Sequence, residues 1–251
     1  MTELKDKRVF VTGSGAGIGK AIAALFAERG ARVVVSDIDE ESAAQAAEQI
    51  GAAGVANCDV TDEGQVQVAI SQALDVLGGL DVLINNAGIE IACPLLQQST
   101  GSFDRIFAVN VRGPFLMMKA AIEPLIASKG NIVNISSIAG IGGSPLLGSY
   151  CATKAALIQL TRVAAVEMRP SGVRVNAVCP GFADTKMVDR LIPDFEAATQ
   201  MPFSDLVAAK QGRLGTPWDI AELTAFLASD RASWITGAHY VLDGGLTASL
   251  V

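Results

Sequence analysis

Continuous apolar runs alternate along the chain with segments whose apolar residues recur every three or four positions. "RVFVTG" (8–13) predicts a first buried strand, and Ile18, Ile22, Leu25 and Phe26 then share one face of a helix. "ARVVVSD" (31–37) predicts a second strand, followed by an Ala-rich helix over 40–50. A short third strand, "GVANCD" (54–59), leads into a helix over 62–77. "DVLINNAG" (81–88) is the fourth strand, followed by one long helix over 101–128. "GNIVNISS" (130–137) is the fifth strand, with a helix over 149–169. "GVRVNAVCPG" (172–181) is the sixth, then a helix over 217–229 and a seventh strand in "AHYVLDGG".

Strands written as unbroken Val/Ile runs are buried on both faces, and strands alternating with helices build a parallel sheet. The pattern therefore predicts an α/β, doubly wound, seven-stranded parallel sheet with helices on both faces. In such sheets ligands bind beyond the carboxyl ends of the strands. No linker or repeat divides 1–251, so one domain is expected. One stretch breaks the alternation. Residues 182–216 carry Pro193 and Pro202 but no clean strand, which suggests an irregular loop serving as a substrate lid.

Composition narrows the function classes. Half of the 251 residues are hydrophobic and 18% are charged, enough for a large core. A net charge of −7 argues against a nucleic-acid partner and offers no basic face to an anionic membrane. The start of the chain lacks the apolar core of a signal peptide and no membrane-length apolar run follows, so a cytoplasmic protein is expected. Cys58, Cys93, Cys151 and Cys179 form no CxxC pair, so no metal site is expected. The lone His239 and the lack of a G-x-S-x-G elbow weigh against a serine hydrolase.

Two local patterns carry chemistry. In "VTGSGAGIGKAI", Gly13, Gly17 and Gly19 lie between the first strand and the first helix. There the backbone can approach a pyrophosphate, with the helix N-terminus supplying N–H donors. Taken alone, such a turn is also a common tight turn. Asp37 ends the second strand, where a carboxylate can accept both ribose hydroxyls of NAD and repel the 2′-phosphate of NADP. Its other reading is a helix cap. In "GSYCATKAA", Tyr150 and Lys154 lie one helical turn apart in a chain with two tyrosines. A nearby ammonium favours a phenolate, so Lys154 is expected to lower the Tyr150 pKa from its ordinary value near 10 toward that of a usable base.

Together these motifs resemble the short-chain dehydrogenase/reductases of the classical type, over essentially the whole chain. "TGSGAGIG" (12–19) is similar to that family's cofactor turn, and "NNAG" (85–88) to the motif ending its fourth strand. The resemblance implies a single Rossmann-type domain and NAD as cofactor. Contacts to it would come from Gly13, Ser14, Gly17, Ile18, Gly19, Asp37, Ile38, Asp59, Val60, Asn86, Ala87, Gly88, Tyr150, Lys154, Pro180, Gly181 and Thr185. It also implies a catalytic set of Asn110, Ser137, Tyr150 and Lys154, with Asn110 holding a water that links Lys154 to solvent. A homotetramer is implied, with the helices of 101–128 and 149–169 in one interface.

The substrate walls are expected at 89–96, 138–147 and 182–212. They would offer Ile89, Ile91, Leu95, Ile138, Ile141, Leu146, Met187, Leu191 and Phe195, with Lys186, Arg190 and Lys210 on the third wall alone. That suits a small, neutral, fairly apolar alcohol or ketone. The runner-up substrate is a 3-oxoacyl thioester on a carrier protein or coenzyme A. A non-catalytic NAD-binding sensor on the same fold is a further alternative.

Overall fold

The computed structural model describes residues 3–248. The extreme ends of the expected single domain, residues 1–2 and 249–251, lie outside the described residues. Seven parallel strands form one sheet in the order β3-β2-β1-β4-β5-β6-β7. They are β1 Arg8–Thr12, β2 Arg32–Asp37, β3 Gly54–Asn57, β4 Val82–Asn85, β5 Asn131–Ile135, β6 Arg174–Pro180 and β7 His239–Leu242. The order reverses between β1 and β4, so a crevice opens at the carboxyl ends of these two strands. Helices α1 (Gly17–Glu28), α2 (Glu40–Ile50) and α9 (Pro217–Ala228) pack on one face of the sheet. Helices α3 (Glu63–Leu77), α5 (Gly113–Ser128) and α6 (Gly148–Met168) cover the other. Both cores are dominated by the Val, Ile, Leu and Ala side chains that made the strands legible.

The expected helix over 101–128 is two helices. α4 (Thr100–Phe107) gives way to a π-helical turn at Ala108–Arg112 before α5 begins. Such a turn inserts one extra residue without breaking the apolar periodicity, so it is silent in the sequence pattern. Its product is Asn110, turned inward and 1% exposed.

The expected irregular stretch 182–216 is also helical. α7 (Lys186–Thr199) accommodates Pro193 in its interior, and α8 (Phe203–Lys210) follows it. Phe203 packs edge-on against Phe182 and Phe195, at 5.0 and 5.5 Å between ring centres. The neck of this flap is stapled shut. Gln211 Oε1 accepts from Phe182 N at 2.9 Å, its Nε2 donates to Phe182 O at 2.7 Å, and Ala183 bridges to Gly215. The prolines suggested loop, whereas aromatic packing and a buried glutamine hold a folded helical flap.

A chain of buried amides positions α6. Asn85 on β4 pairs in register with Asn134 on β5. Asn85 Nδ2 donates to Asn134 Oδ1 at 2.9 Å, and Asn134 Nδ2 donates to Thr161 Oγ1 of α6 at 2.8 Å. These bonds tie the middle of α6 to the sheet beneath it.

The turn between β1 and α1 is locked to the end of β4. Asn86 Nδ2 donates to Thr12 O and Gly13 O at 3.0 and 2.8 Å, while Thr12 Oγ1 accepts from Asn86 N and Ala87 N, both at 3.0 Å. Two glycines of the turn are required for different reasons. A Cβ on Gly19 would stand 2.2 Å from Gly13 O and 2.4 Å from Asn86 Nδ2. Gly17 has φ +55°, and a Cβ there would meet only Thr185 Cγ2, at 3.8 Å. Gly19→Ala is therefore expected to destabilise the protein by about 1–3 kcal/mol through overpacking. Gly17→Ala carries only backbone strain, about 1–2 kcal/mol. Urea unfolding with an unchanged slope compares the two; equal midpoints would contradict this division.

Candidate active site

A cleft of about 1290 Å³ lies over the carboxyl ends of the strands. Gly13, Gly17, Ile18, Asp37, Ile38, Asp59, Val60, Asn86, Ala87 and Gly88 line one half, and Ser137, Tyr150, Lys154, Pro180, Gly181 and Thr185 line the floor and far wall. Ser14 and Gly19 do not face it. Ser14 is fully buried and donates to Val11 O at 2.7 Å, so it shapes the turn from behind.

The turn half of the cleft presents donors. α1 begins with no side-chain cap on its free N–H groups and no acidic residue in its first turn. By contrast α2, α3, α4, α7 and α9 are capped by Asp39, Asp62, Ser99, Thr185 and Thr216. An uncapped helix start facing a cleft fits an anionic pyrophosphate. Asp37 is not a helix cap, since Asp39 caps α2. Its Oδ2 accepts from Gly15 N at 3.0 Å and its Oδ1 from Asp39 N at 3.2 Å. The carboxylate thus sits at the mouth of the turn, braced by it. Asp59 is folded back on Thr61, accepting from its N–H at 2.9 Å and its hydroxyl at 2.8 Å.

On the floor, the end of β5 and the first turns of α6 interlock. Ser136 Oγ donates to Lys154 O at 2.9 Å, and Lys154 Nζ donates to Ile135 O at 2.9 Å. Ser137 starts the short turn after β5, where its Oγ accepts from Ala139 N at 3.1 Å. Lys154 is 4% exposed, and its Nζ lies 5.5 Å from the centre of the Tyr150 ring. Asn110 spends its amide on the protein. Its Oδ1 accepts from Ile89 N at 2.9 Å, and its Nδ2 donates to Ile89 O at 2.9 Å and Thr153 Oγ1 at 3.1 Å. It fixes the loop after β4 against α6 from behind Gly88, where an added Cβ would stand 3.3 Å from Asn110 Oδ1 and 3.5 Å from Lys154 Nζ.

The electrostatics reverse one expectation. Burial pushes the Tyr150 phenol up to about 12; the Ser137 hydroxyl opposes that shift and the charge of Glu90 adds to it. Burial likewise brings Lys154 down to about 8. Lys154 was expected to lower the phenol's pKa, yet desolvation dominates both groups in this structure. Burial depth is set by the flap and loops, which the Tyr-Lys spacing does not reveal.

Of the residues expected to wall a substrate, Ile89, Ile138, Met187, Leu191 and Phe195 line the cleft, and Leu147 and Leu206 line it as well. Ile91, Leu95, Ile141 and Leu146 do not line it. The loops after β4 and β5 cross through a bridge between Cys93 and Leu147, with Cys93 N donating to Leu146 O at 2.8 Å. That crossing turns their neighbours outward: Leu95 is 62% exposed and Ile141 44%. Lys186, Arg190 and Lys210 reach the cleft from the flap, and Arg105 and Glu90 join them. Glu90 and Arg105 were not anticipated. Only apolar and basic residues were weighed for these walls, and Arg105 lies outside the three segments.

Comparison with known proteins places the chain. The family model described as enoyl-(acyl carrier protein) reductase matches residues 13–247. The chain is 40% identical to 2-(S)-hydroxypropyl-CoM dehydrogenase 3 of Xanthobacter autotrophicus, over 98% of both chains. It is 43% identical to cis-4-hydroxycyclohexanecarboxylate dehydrogenase of Sinomonas cyclohexanicum, over 97% of both. A crystal structure of a short-chain type dehydrogenase/reductase from Mycobacterium marinum superposes with a TM-score of 0.91 at 34% identity, covering 99% of this chain and 98% of that one. Matched from end to end in sequence and in fold, the chain belongs to the short-chain dehydrogenase/reductase family.

Proposed function

We propose that the protein is an NAD-dependent dehydrogenase that interconverts a secondary alcohol and its ketone. The observation that carries this reading is the convergence of Ser137, Tyr150 and Lys154 on one apolar-walled cleft whose other half is an uncapped helix start. Relatives named for the oxidation of hydroxypropyl and hydroxycyclohexane groups support an alcohol–ketone reaction over the thioester alternative.

Nicotinamide, when bound, supplies the hydride chemistry at the carbinol carbon. Gly13, Gly17, Ile18 and the start of α1 would hold the pyrophosphate; Asp37 and Ile38 the adenine ribose; Asp59 and Val60 the adenine; and Lys154, Pro180, Gly181 and Thr185 the nicotinamide end. Ser137 directs the substrate oxygen by hydrogen bonding. Tyr150 gives its phenolic proton to that oxygen in reduction and takes it back in oxidation. A phenol held near 12 rests in the donating form, so oxidation is favoured as pH rises. Lys154, pinned to Ile135 O, presents its ammonium beside the phenol, a charge that burial lets go as pH rises through about 8. Asn110 holds this floor to the loop after β4, and its Oδ1 retains acceptor capacity for a water that passes protons to solvent. The flap over 182–216 closes the substrate end.

A homotetramer fits the same reading, with the outer faces of α4, α5 and α6 in contact. Phe103, Phe115, Val163 and Val166 on these helices are all at least 40% exposed. Four free cysteines suit a cytoplasmic setting. Among the described residues, no helix is long and apolar enough to cross a membrane.

Tyr150→Phe is expected to fold and bind NAD while turnover falls at least about a hundredfold. Activity within a few-fold of wild type would remove Tyr150 from the chemistry.

Ser137→Ala tests the sign of the electrostatics. The Ser137 hydroxyl favours the phenolate, so removing it is expected to move the acid limb of the oxidation pH profile to higher pH. An unmoved limb, or one displaced to lower pH, would contradict the assignment.

The wild type is expected to prefer NAD over NADP by at least about a hundredfold in kcat/KM. Asp37→Ala is expected to erase most of that gap, mainly by weakening NAD, because Gly15 N also loses its acceptor. Adding Ile38→Arg in that background is expected to favour NADP further, since a guanidinium can fork onto the phosphate. An Asp37→Ala enzyme with the wild-type ratio would reduce Asp37 to a turn residue.

A further inference from the structure

The flap is a small body with a single polar tie across the cleft. Its aromatic packing is its own, Phe203 against Phe182 and Phe195, and its neck is closed by Gln211. Among the described residues, the hydrogen bonds made by 186–210 stay within the flap and its neck, with one exception. Arg190 of α7 donates from Nε and an Nη to the Glu90 carboxylate, each at 3.4 Å, across 100 positions of sequence. Both residues line the cleft, one from the flap and one from the loop after β4. Arg105, Asp184, Lys186, Asp189 and Lys210 line it too, yet none of them enters an ion pair among the described residues. Arg190 thus pairs with the acid on the opposite wall and not with Asp184 or its neighbour Asp189 on its own side.

The two ends of the tie are unequal. The Glu90 side chain is 10% exposed and follows Ile89, whose N–H and carbonyl are both held by Asn110. Arg190 is 65% exposed and sits on a helix with Pro193 in its interior. One end is fixed to the body and the other moves with the flap. At 3.3 Å this is also the longest ion pair described; the others run from 2.5 to 3.1 Å. A long contact to an exposed guanidinium is weak. It can bias a flap that has no other polar tie, and it can break whenever a ligand must pass. We propose that Glu90 and Arg190 are positioning residues that latch the flap over the cleft, Glu90 as the fixed half and Arg190 as the moving half. Met187, Leu191 and Phe195, the apolar cleft residues of α7, take their places from this tie. The latch also sets how fast the nucleotide leaves, a consequence that rests on the dehydrogenase reading above.

Hydrogen exchange on the unliganded enzyme reads the latch directly. Pro193 removes one helix N–H from α7, so this helix depends on docking to keep its turns. Arg190→Leu and Glu90→Gln are each expected to speed amide exchange over 186–199 by about two- to fivefold, the scale of an exposed pair, with β1 and β5 unchanged. The double variant is expected to exchange no faster than the faster single, because one interaction can be lost only once. Arg190→Glu sets two carboxylates face to face and is expected to exceed Arg190→Leu, a comparison that leaves the buried position untouched. NADH release, followed by stopped-flow fluorescence, is expected to accelerate in the same order. Flap exchange unmoved by the single variants, effects that multiply in the double, or Arg190→Glu no looser than Arg190→Leu would overturn the assignment. So would a looser flap from which NADH leaves at the wild-type rate. Flap exchange that follows the cycle in an enzyme holding no NADH upholds the latch and removes the nicotinamide reading. Tight NADH binding with an unmoved flap removes the latch and leaves that reading intact.

Discussion

A lysine ammonium buried under the cleft is the constraint around which the cleft floor is built. Removing a charge from water is costly unless its donors are met, and Lys154 is 4% exposed. Its Nζ donates to Ile135 O, the last carbonyl of β5, and its own carbonyl accepts from Ser136. These two bonds fix the helix to the strand end where Ser137 follows. Because Tyr150 stands one turn earlier on the same helix, placing Lys154 also places the phenol. The Asn85–Asn134–Thr161 chain fixes the same helix from below, two turns further along. The groups proposed for catalysis therefore inherit their positions from the sheet and not from flexible loops, as preorganised chemistry requires.

The glycine-turn half follows a complementary logic. There the protein withholds side chains: the helix start is left uncapped, and Gly17 leaves open space in front of it. Polar side chains near it, Ser14, Thr12 and Asn86, all point back into the protein to hold the turn. One half of the cleft is thus exposed backbone and the other a set of buried side chains. The flap neck at Thr185 faces Gly17 across the gap, so the flap begins where the glycine turn ends.

The central strands were legible because both faces of each are buried; β5 is buried at every position, which writes an unbroken apolar run. The glycine turn and the Tyr-Lys pair were legible because their geometry is local, within one turn of backbone. Features that depend on distant packing were not. The π turn at Ala108–Arg112 slips the helix by one residue yet keeps the apolar stripe. Pro193 signals a break, but Phe203 wedged between Phe182 and Phe195 sustains the flap around it. Which residues of the crossing loops face inward is decided by the Cys93–Leu147 bridge, a contact between segments far apart in the chain. The Tyr150 shift is likewise a property of enclosure.

The division between legible and illegible parts follows the division of labour in the enzyme. Chemistry common to every secondary alcohol needs a proton at one oxygen and a nucleotide at one carbon, and local motifs on rigid elements supply both. Choice among alcohols depends on what meets the rest of the substrate. The cleft wall proposed to meet it is assembled from Ile89 and Glu90 after β4, Ile138 and Leu147 after β5, and Met187, Leu191 and Phe195 of the flap. These segments can change without disturbing the Lys154 anchor, since none of them supplies its bonds. Asn110 is a buried joint between the two parts. It holds Ile89 by both backbone groups and α6 through Thr153. A shift of the loop that carries Glu90 would therefore strain the hydrogen bonds of a buried amide, which keeps the acid in a fixed place relative to the phenol.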